Sequence, residues 1–259
     1  MLLAIDVGNT NTVFALHDGA KFVAEWRCNT ESVRTADQYF VWLRQLMQHR
    51  GLDPADIEEV VISNVAPATL FNLRVLCDRY FSCRPMVVGK PGCDLPVDVR
   101  VDNPAEVGAD RLVNTVAAYA KYGGDLVVVD FGTATTFDVV GHDGAYVGGV
   151  IAPGVNLSLD ALHHAAAHLP RIDVTMPPHV LGRNTVHCMQ TGIYWGYVGL
   201  IEGIATRIAA ERGTQMRLIA TGGLSPLFAR GSDMIEEVDP DLTMRGLVLI
   251  HRYNKGEDA

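Results

Sequence analysis

Two short stretches carry a carboxylate to the end of an apolar run and then surround it with glycine and hydroxyls. In LLAIDVGNTNTVFAL (2–16), Asp6 closes the run, Gly8 stands two residues on, and Asn9, Thr10, Asn11 and Thr12 follow before the chain turns apolar again at Val13. In VVVDFGTATTFDVV (127–140), Asp130 ends Val127–Val129, Gly132 follows, and Thr133, Thr135 and Thr136 supply the hydroxyls. A tight turn of glycine and small hydroxyls presents backbone N–H groups and side-chain donors to an anion. A carboxylate beside it repels phosphate unless a cation lies between them. Asp6 and Asp130 therefore make chemical sense if they hold a metal or its waters while the loops hold phosphates. Two such loops across a cleft would grip the phosphate tail of a nucleotide from both sides. A single Asp-x-Gly is ordinary turn chemistry; the repetition with the same sequel carries the functional reading.

The elements that position these residues follow from apolar periodicity and turn chemistry. Residues 2–7 and 12–16 read as strands joined by the polar GNTN turn, with a third strand over Lys21–Arg27. Thr35 and Gln38 form a capping box ahead of the amphipathic stretch Tyr39–His49. Val60–Ser63 and Met86–Val88 read as strands and Pro67–Tyr80 as helical. Asn103, Pro104 and Glu106 predict a helix opening at Pro104 and running to about Tyr122, ahead of Gly123-Gly124. The pattern then restarts: strand 126–131, hydroxyl turn, strand 136–140, and a glycine-rich stretch 144–149. Helices are expected near 155–168 and 185–211, a strand at 217–221 and a last helix near 241–253. The restart points to a duplicated α/β unit, with domains at 1–122 and 123–259.

Composition mainly excludes. A chain of 259 residues that is 48% hydrophobic can bury a substantial core. Its net charge of −9 lacks the basic footprint of sequence-independent nucleic-acid binding, so no nucleic-acid partner is expected. No apolar stretch approaches the length of a membrane helix, and the start MLLAIDVGN has no basic n-region, so no membrane partner or signal peptide is expected. Five cysteines without a Cys-x-x-Cys pair suggest neither a disulfide framework nor a zinc site, which makes a reducing cytoplasm the expected location.

Paired DxGxT hairpins resemble the superfamily of acetate and sugar kinases, heat-shock ATPases and actin, and LIATGGLS (218–225) is similar to its adenosine motif. The narrower resemblance is to type III pantothenate kinases. DVGNTNTVFAL, ISNVAP, NPAEVGADRLVN, DFGTATTFD, GGVIAPG, GRNTVHCMQTGIYWG and PDLTMRGLVLI occur in that family's order, from the N-terminus to the last helix.

The resemblance implies an α/β fold of two ribonuclease-H-like (actin-like ATPase) domains with a cleft between them. It implies transfer of the ATP γ-phosphoryl group to pantothenate, giving 4'-phosphopantothenate in the first step of coenzyme A biosynthesis, with Mg2+ accompanying ATP. By that resemblance Asp110 is the proton acceptor, and Gly108, Ala109, Asp110, Arg111 and Thr185 contact pantothenate. Arg111 would face its carboxylate, a pairing that suits guanidinium geometry. Asp6, Val7, Gly8, Asn9, Thr10, Asn11, Thr12, Val13 and Thr133 would hold ATP. Asp130 would bind a monovalent cation, K+ or NH4+. A homodimer is also implied. Members of the family often carry a tyrosine two residues before the Asn-Pro pair; here that position is Val101.

Other readings compete. A regulatory or accessory protein could keep the nucleotide fold without turnover, but Asp6, Asp110 and Asp130 are all present. Another small-molecule kinase or phosphohydrolase of the superfamily would not be expected to carry NPAEVGADR. His163, His164 and His168 raise a metal site, since 164 and 168 share a helix face, yet neither a third ligand for that pair nor a nearby acid stands at suitable spacing. Tyr194, Trp195 and Tyr197, on a stretch with Gly192, Gly196, Gly199 and Gly203, read as packing with a dimer interface nearby.

Overall fold

The computed structural model describes residues 1–166 and 169–257. The chain divides into two compact units: Met1–Asp98 with Asp102–Ala120 and the segment from Leu242 onward, and Val99–Val101 with Lys121–Asp241.

In the first unit the strands are β1 (Leu2–Val7), β2 (Asn11–His17), β3 (Phe22–Asn29), β4 (Glu59–Asn64) and β5 (Met86–Val87). The helices are α1 (Ala36–His49), α2 (Leu70–Tyr80) and α3 (Ala109–Tyr122), whose last two residues fall in the second unit. The sheet order is β3-β2-β1-β4-β5. β1 runs antiparallel to β2 and parallel to β4.

β1 is central and covered on both faces, which is why it reads as a continuous apolar run. Leu3, Ile5 and Val7 pack with Tyr39, Leu43 and Met47 of α1 and Leu73 of α2. Leu2 and Ala4 pack on the other face with Val113 and Val116 of α3. Side chains alternate along a strand, so Asp6 shares the face of Leu2 and Ala4.

The second unit repeats the plan with β6 (Leu126–Phe131), β7 (Ala134–Val140), β8 (Tyr146–Pro153), β9 (Arg217–Gly222) and β10 (Ile235–Val238), in the order β10-β9-β6-β7-β8. β6 takes the place of β1: antiparallel to β7 and parallel to β9. Its helices are α4 (Val155–Ala165), α5 (Thr185–Arg212) and the short α6 (Ser225–Phe228). Val127, Val129 and Phe131 pack against Ile193, Tyr194 and Ile201 of α5. Asp130 falls on the opposite face.

The last helix, α7 (Leu242–Lys255), follows β10 in sequence but packs in the first unit. Its Met244, Leu247, Val248 and Ile250 share a core with Leu2, Ala4 and α3. A Cβ on Gly246 would stand 2.3 Å from the Val113 carbonyl oxygen, so this crossing admits only glycine. Thr243 Oγ1 donates to Asn114 Oδ1 at 2.7 Å beside it.

Three local expectations need correcting. Pro104–Glu106 forms only a 3-10 turn, because Val107 returns to extended backbone (φ −72°, ψ 127°); α3 begins at Ala109. Asn103 spends its side chain on Glu106 Oε1 (2.7 Å) rather than on a helix N–H. The glycine-rich stretch after residue 144 contributes the strand β8, whose pairing with β7 needs backbone groups and no particular side chains. β10 was not anticipated; only four residues long, it alternates too briefly to be read. The capping box at Thr35 and Gln38 is present as expected. Among the described residues, no helix is long and apolar enough to cross a membrane.

Candidate active site

The β1–β2 turn is built from Gly8, Asn9 and Thr10, between Val7 and Asn11. Val7 pairs with Thr12, and the Gly8 amide donates to the Asn11 carbonyl at 3.0 Å. Asn9, Thr10 and Asn11 are exposed, while Asp6 is half-buried at the strand end. Thr30, just past β3, braces the turn three times. Its amide donates to the Thr10 carbonyl (2.9 Å), its hydroxyl donates to the Gly8 carbonyl (2.8 Å), and that hydroxyl also meets the buried Thr12 hydroxyl at 2.9 Å. Val7 and Val13 are buried, and both belong to the sheet ladder, Val7 opposite Thr12 and Val13 opposite Asp6.

The β6–β7 turn is tighter. Phe131 pairs with Thr135, and Gly132 donates to the Ala134 carbonyl at 3.1 Å. Gly132 and Thr133 are exposed and Asp130 is half-buried. Backbone packing braces this turn. A Cβ on Gly154, immediately before α4, would stand 2.1 Å from the Thr133 carbonyl oxygen. One on Gly222, which ends β9 at φ +88°, would stand 2.6 Å from Asp130 Oδ1. The first glycine of LIATGG thus lets a neighbouring strand end close against the acid.

Asp110 lies in the first turn of α3. Its Oδ1 accepts from the Arg111 amide at 2.8 Å, and a Cβ on Gly108 would stand 2.5 Å from that oxygen. Glycine at 108 is what allows the carboxylate to fold back over the helix start. Burial pushes the Asp110 carboxyl above the usual aspartate range, against the lowering effect of the Arg111 amide and charge. An aspartate at a helix N-terminus is ordinarily favoured as the anion. Here desolvation wins, which leaves a carboxylate with more than usual proton affinity. Arg111 and Ala109 are half-buried beside it.

Thr185 opens α5 and is exposed, next to Asn184, whose side chain caps the helix by accepting from the His187 amide at 3.0 Å. Val186 and Gln190, further along α5, line a pocket of about 540 Å³ together with Asn156, His163 and Arg171. Two of the three histidines make local contacts to backbone carbonyls. His163 Nδ1 lies 2.7 Å from the Leu169 carbonyl oxygen and His164 Nδ1 2.7 Å from that of Asp160. His168 lies outside the described residues. Among the described residues, no three His, Cys, Asp or Glu side chains gather to hold a metal. Tyr194 and Tyr197 are packing residues: Tyr194 stacks on Phe228 (5.4 Å, 15°) and the Tyr197 hydroxyl donates to the Pro153 carbonyl at 2.8 Å.

In the first unit, then, the Asp6 turn and Asp110 belong to elements that share one sheet face; the Asp130 turn and Thr185 belong to the second unit. Sequence reasoning missed two residues that shape these turns: Thr30 and Gly154. Gly154, at the end of GGVIAPG and ahead of an apolar helical stretch, was the more legible of them. Thr30 carries no local signal.

The chain matches a family model described as type III pantothenate kinase over residues 2–207. It is 66% identical over 255 residues to a type III pantothenate kinase of Dinoroseobacter shibae, covering 98% of this chain and 99% of the relative. Among solved structures it resembles a Baf family protein from Campylobacter jejuni at TM-score 0.65 and 21% identity, covering 98% and 99% of the two chains. It also resembles the activator of 2-hydroxyisocaproyl-CoA dehydratase from Clostridium difficile, solved with ADPNP, at TM-score 0.53 and 11% identity, covering 100% and 98%. At these identities the solved structures show the fold alone: the duplicated ribonuclease-H-like, actin-like ATPase architecture expected from the paired hairpins.

Proposed function

The chain belongs to the type III pantothenate kinase family, and on that premise we propose how its residues carry out the ATP-dependent phosphorylation of pantothenate. The reaction transfers the γ-phosphoryl group of ATP to the primary alcohol of pantothenate, the opening step of coenzyme A biosynthesis. Its substrates are two small molecules, and ATP acts with a divalent metal.

The attacking alcohol must lose a proton as the P–O bond forms, and catalysis of such transfers is mostly positioning and charge stabilisation. Asp110 takes that proton. The observation that carries this role is the place of its half-buried carboxylate in the first turn of α3, where Oδ1 accepts from the Arg111 amide at 2.8 Å and Gly108 leaves room for it; burial there raises its proton affinity. Gly108, Ala109 and Arg111 contact pantothenate with Asp110, and the Arg111 guanidinium pairs with the substrate carboxylate. Thr185, beside the pocket lined by Val186 and Gln190, is a further contact.

Asp6 and the turn Val7–Val13 hold the ATP phosphates, joined by Thr133. The exposed amides and side chains of Asn9, Thr10 and Asn11 supply donors, and Thr12 acts by bracing the turn through Thr30. These residues fit Mg2+, which takes one or two carboxylates and completes its shell with water and phosphate. When bound, the metal neutralises developing charge on the phosphates. Asp130, closed in by Gly222, holds a monovalent cation, K+ or NH4+. The chain forms a homodimer through the outer face of α5, where Gly192, Gly196 and Gly199 are exposed with open space above them. Its five free thiols fit a reducing cytoplasm.

The deciding experiment is turnover of pantothenate by the purified protein with ATP, Mg2+ and K+, beside Asp110→Asn. Wild-type turnover and a loss of about 10²-fold or more in the variant are expected. Near-normal turnover by the variant would remove Asp110 from its role. The rate should also fall on acidification at a pH above the ordinary aspartate range, as Asp110 protonates. Replacing K+ with Na+ should lower activity, and indifference to the exchange would overturn the assignment of Asp130. Light scattering at twice the chain mass tests the dimer.

A further inference from the structure

We propose that Ser63 is a positioning residue of the magnesium-nucleotide site, its hydroxyl reserved for the hydrated metal that Asp6 faces; this rests on the reading of the Asp6 turn as the ATP-phosphate site. β4 runs parallel to β1, and Ser63 stands opposite Asp6 in register. Paired residues of neighbouring strands present their side chains to the same face. That face is the one covered by α3: Val61, two residues before Ser63, shares a core with Leu2, Ala4 and Val113.

The Ser63 hydroxyl is fully buried and has no hydrogen-bond partner among the described residues. Its neighbours are committed elsewhere. Asn64 donates to Thr69 Oγ1 (2.9 Å) and accepts from the Ala66 amide (2.7 Å), and the Val65 amide donates to the Val7 carbonyl (3.0 Å). These bonds hold the end of β4 beside the end of β1, so Ser63 stays at the side of Asp6.

A buried hydroxyl without a partner is a stability cost that alanine would avoid. The second unit repeats the device: Thr221 stands opposite Asp130 in the parallel pair of β6 and β9 and is 2% exposed. A hydroxyl beside each acid, on the strand parallel to it, is the arrangement expected of a group that bonds the water shell of an ion and orients it. A hydroxyl both donates and accepts, so it serves a metal-bound water whichever way that water turns. Outer-shell partners of this kind change metal affinity by about 10- to 100-fold when removed.

The test is calorimetric binding of a non-hydrolysable ATP analogue, with Mg2+ and again with EDTA, to the wild type, Ser63→Ala and Ser63→Thr. The expected result is a roughly tenfold weaker affinity of Ser63→Ala in Mg2+, no change in EDTA, recovery in Ser63→Thr, and a melting temperature of the free Ser63→Ala protein at or above that of the wild type. Equal affinity of Ser63→Ala and wild type in Mg2+ would overturn the proposal, leaving Ser63 as a residue of small volume. Should Ser63→Ala fail to fold, Ser63→Cys, close in shape and a poor hydrogen-bonding group, decides by the same comparison. A wild type that binds no analogue under either condition would overturn the reading of the Asp6 turn, and the role of Ser63 with it.

Discussion

The β1–β2 and β6–β7 hairpins stand at equivalent places in two sheets of one topology, and they are held in different ways. In the first, polar bonds from Thr30 fix a turn that spaces the paired residues Val7 and Thr12 by four intervening residues. In the second, three residues separate Phe131 from Thr135, and backbone from α4 and β9 closes in where Gly154 and Gly222 leave room. The longer turn exposes Asn9, Thr10 and Asn11; the tighter one exposes Gly132 and Thr133. A duplicated plan therefore tolerates two kinds of brace, provided the acid stays at the strand end. The equivalent threonines show the difference most sharply. Thr12 has Thr30 as a partner, whereas the Thr135 hydroxyl is buried without one among the described residues.

Substitutions at the braces test whether the two turns are held differently. The largest effect is expected at the glycines of the second hairpin. Gly154→Ala and Gly222→Ala should each cost about 3 kcal/mol by overpacking against backbone or Asp130, read as a lowered denaturant midpoint. Gly8→Ala, whose Cβ meets the Asn11 carbonyl oxygen at 3.2 Å, should cost about 1 kcal/mol. Equal losses would mean that the two turns are braced alike.

Next comes Thr30→Val, which removes the hydroxyl bonds to Gly8 and Thr12 and should cost about 2 kcal/mol. Smaller again is the paired test Thr12→Val and Thr135→Val. The first should lose about 1 kcal/mol and the second should be neutral or gain by a similar amount. A loss at Thr135 would show that its hydroxyl is used.

The smallest effect is expected at Asp110. Its folded pKa lies above the unfolded value, so its contribution to stability is fully present below the unfolded pKa and is lost as pH rises through the folded one. At neutral pH the desolvated charge is a cost, and Asp110→Asn should melt slightly higher than the wild type while losing turnover. A lower melting point would mean that the carboxylate is structural.

Much of this was legible in advance because it is local. The acids, glycines and hydroxyls of both hairpins, and the apolar runs before them, sit within windows of about fifteen residues. Their repetition announced a duplicated unit. The capping box at Thr35 and the helix from Thr185 were readable for the same reason. Where local signals conflicted, the reading slipped. Asn103-Pro104 is a good helix opening, but Val107 in extended backbone postpones α3 until Ala109, and that delay puts Asp110 in the first turn beside Gly108.

By itself, the sequence determined the α/β character, the duplicated acid-ended strands, the family and the identities of the chemical groups, since periodicity and turn chemistry act between near neighbours. Tertiary structure alone decided that α7 returns to the first unit through Gly246 and Val113, that Thr30 ties down the first turn, and that Ser63 stands beside Asp6. Those pairings join residues that are far apart in the chain. They are selected by parallel register, burial and the space left by a missing Cβ, quantities that exist only once the sheets have formed.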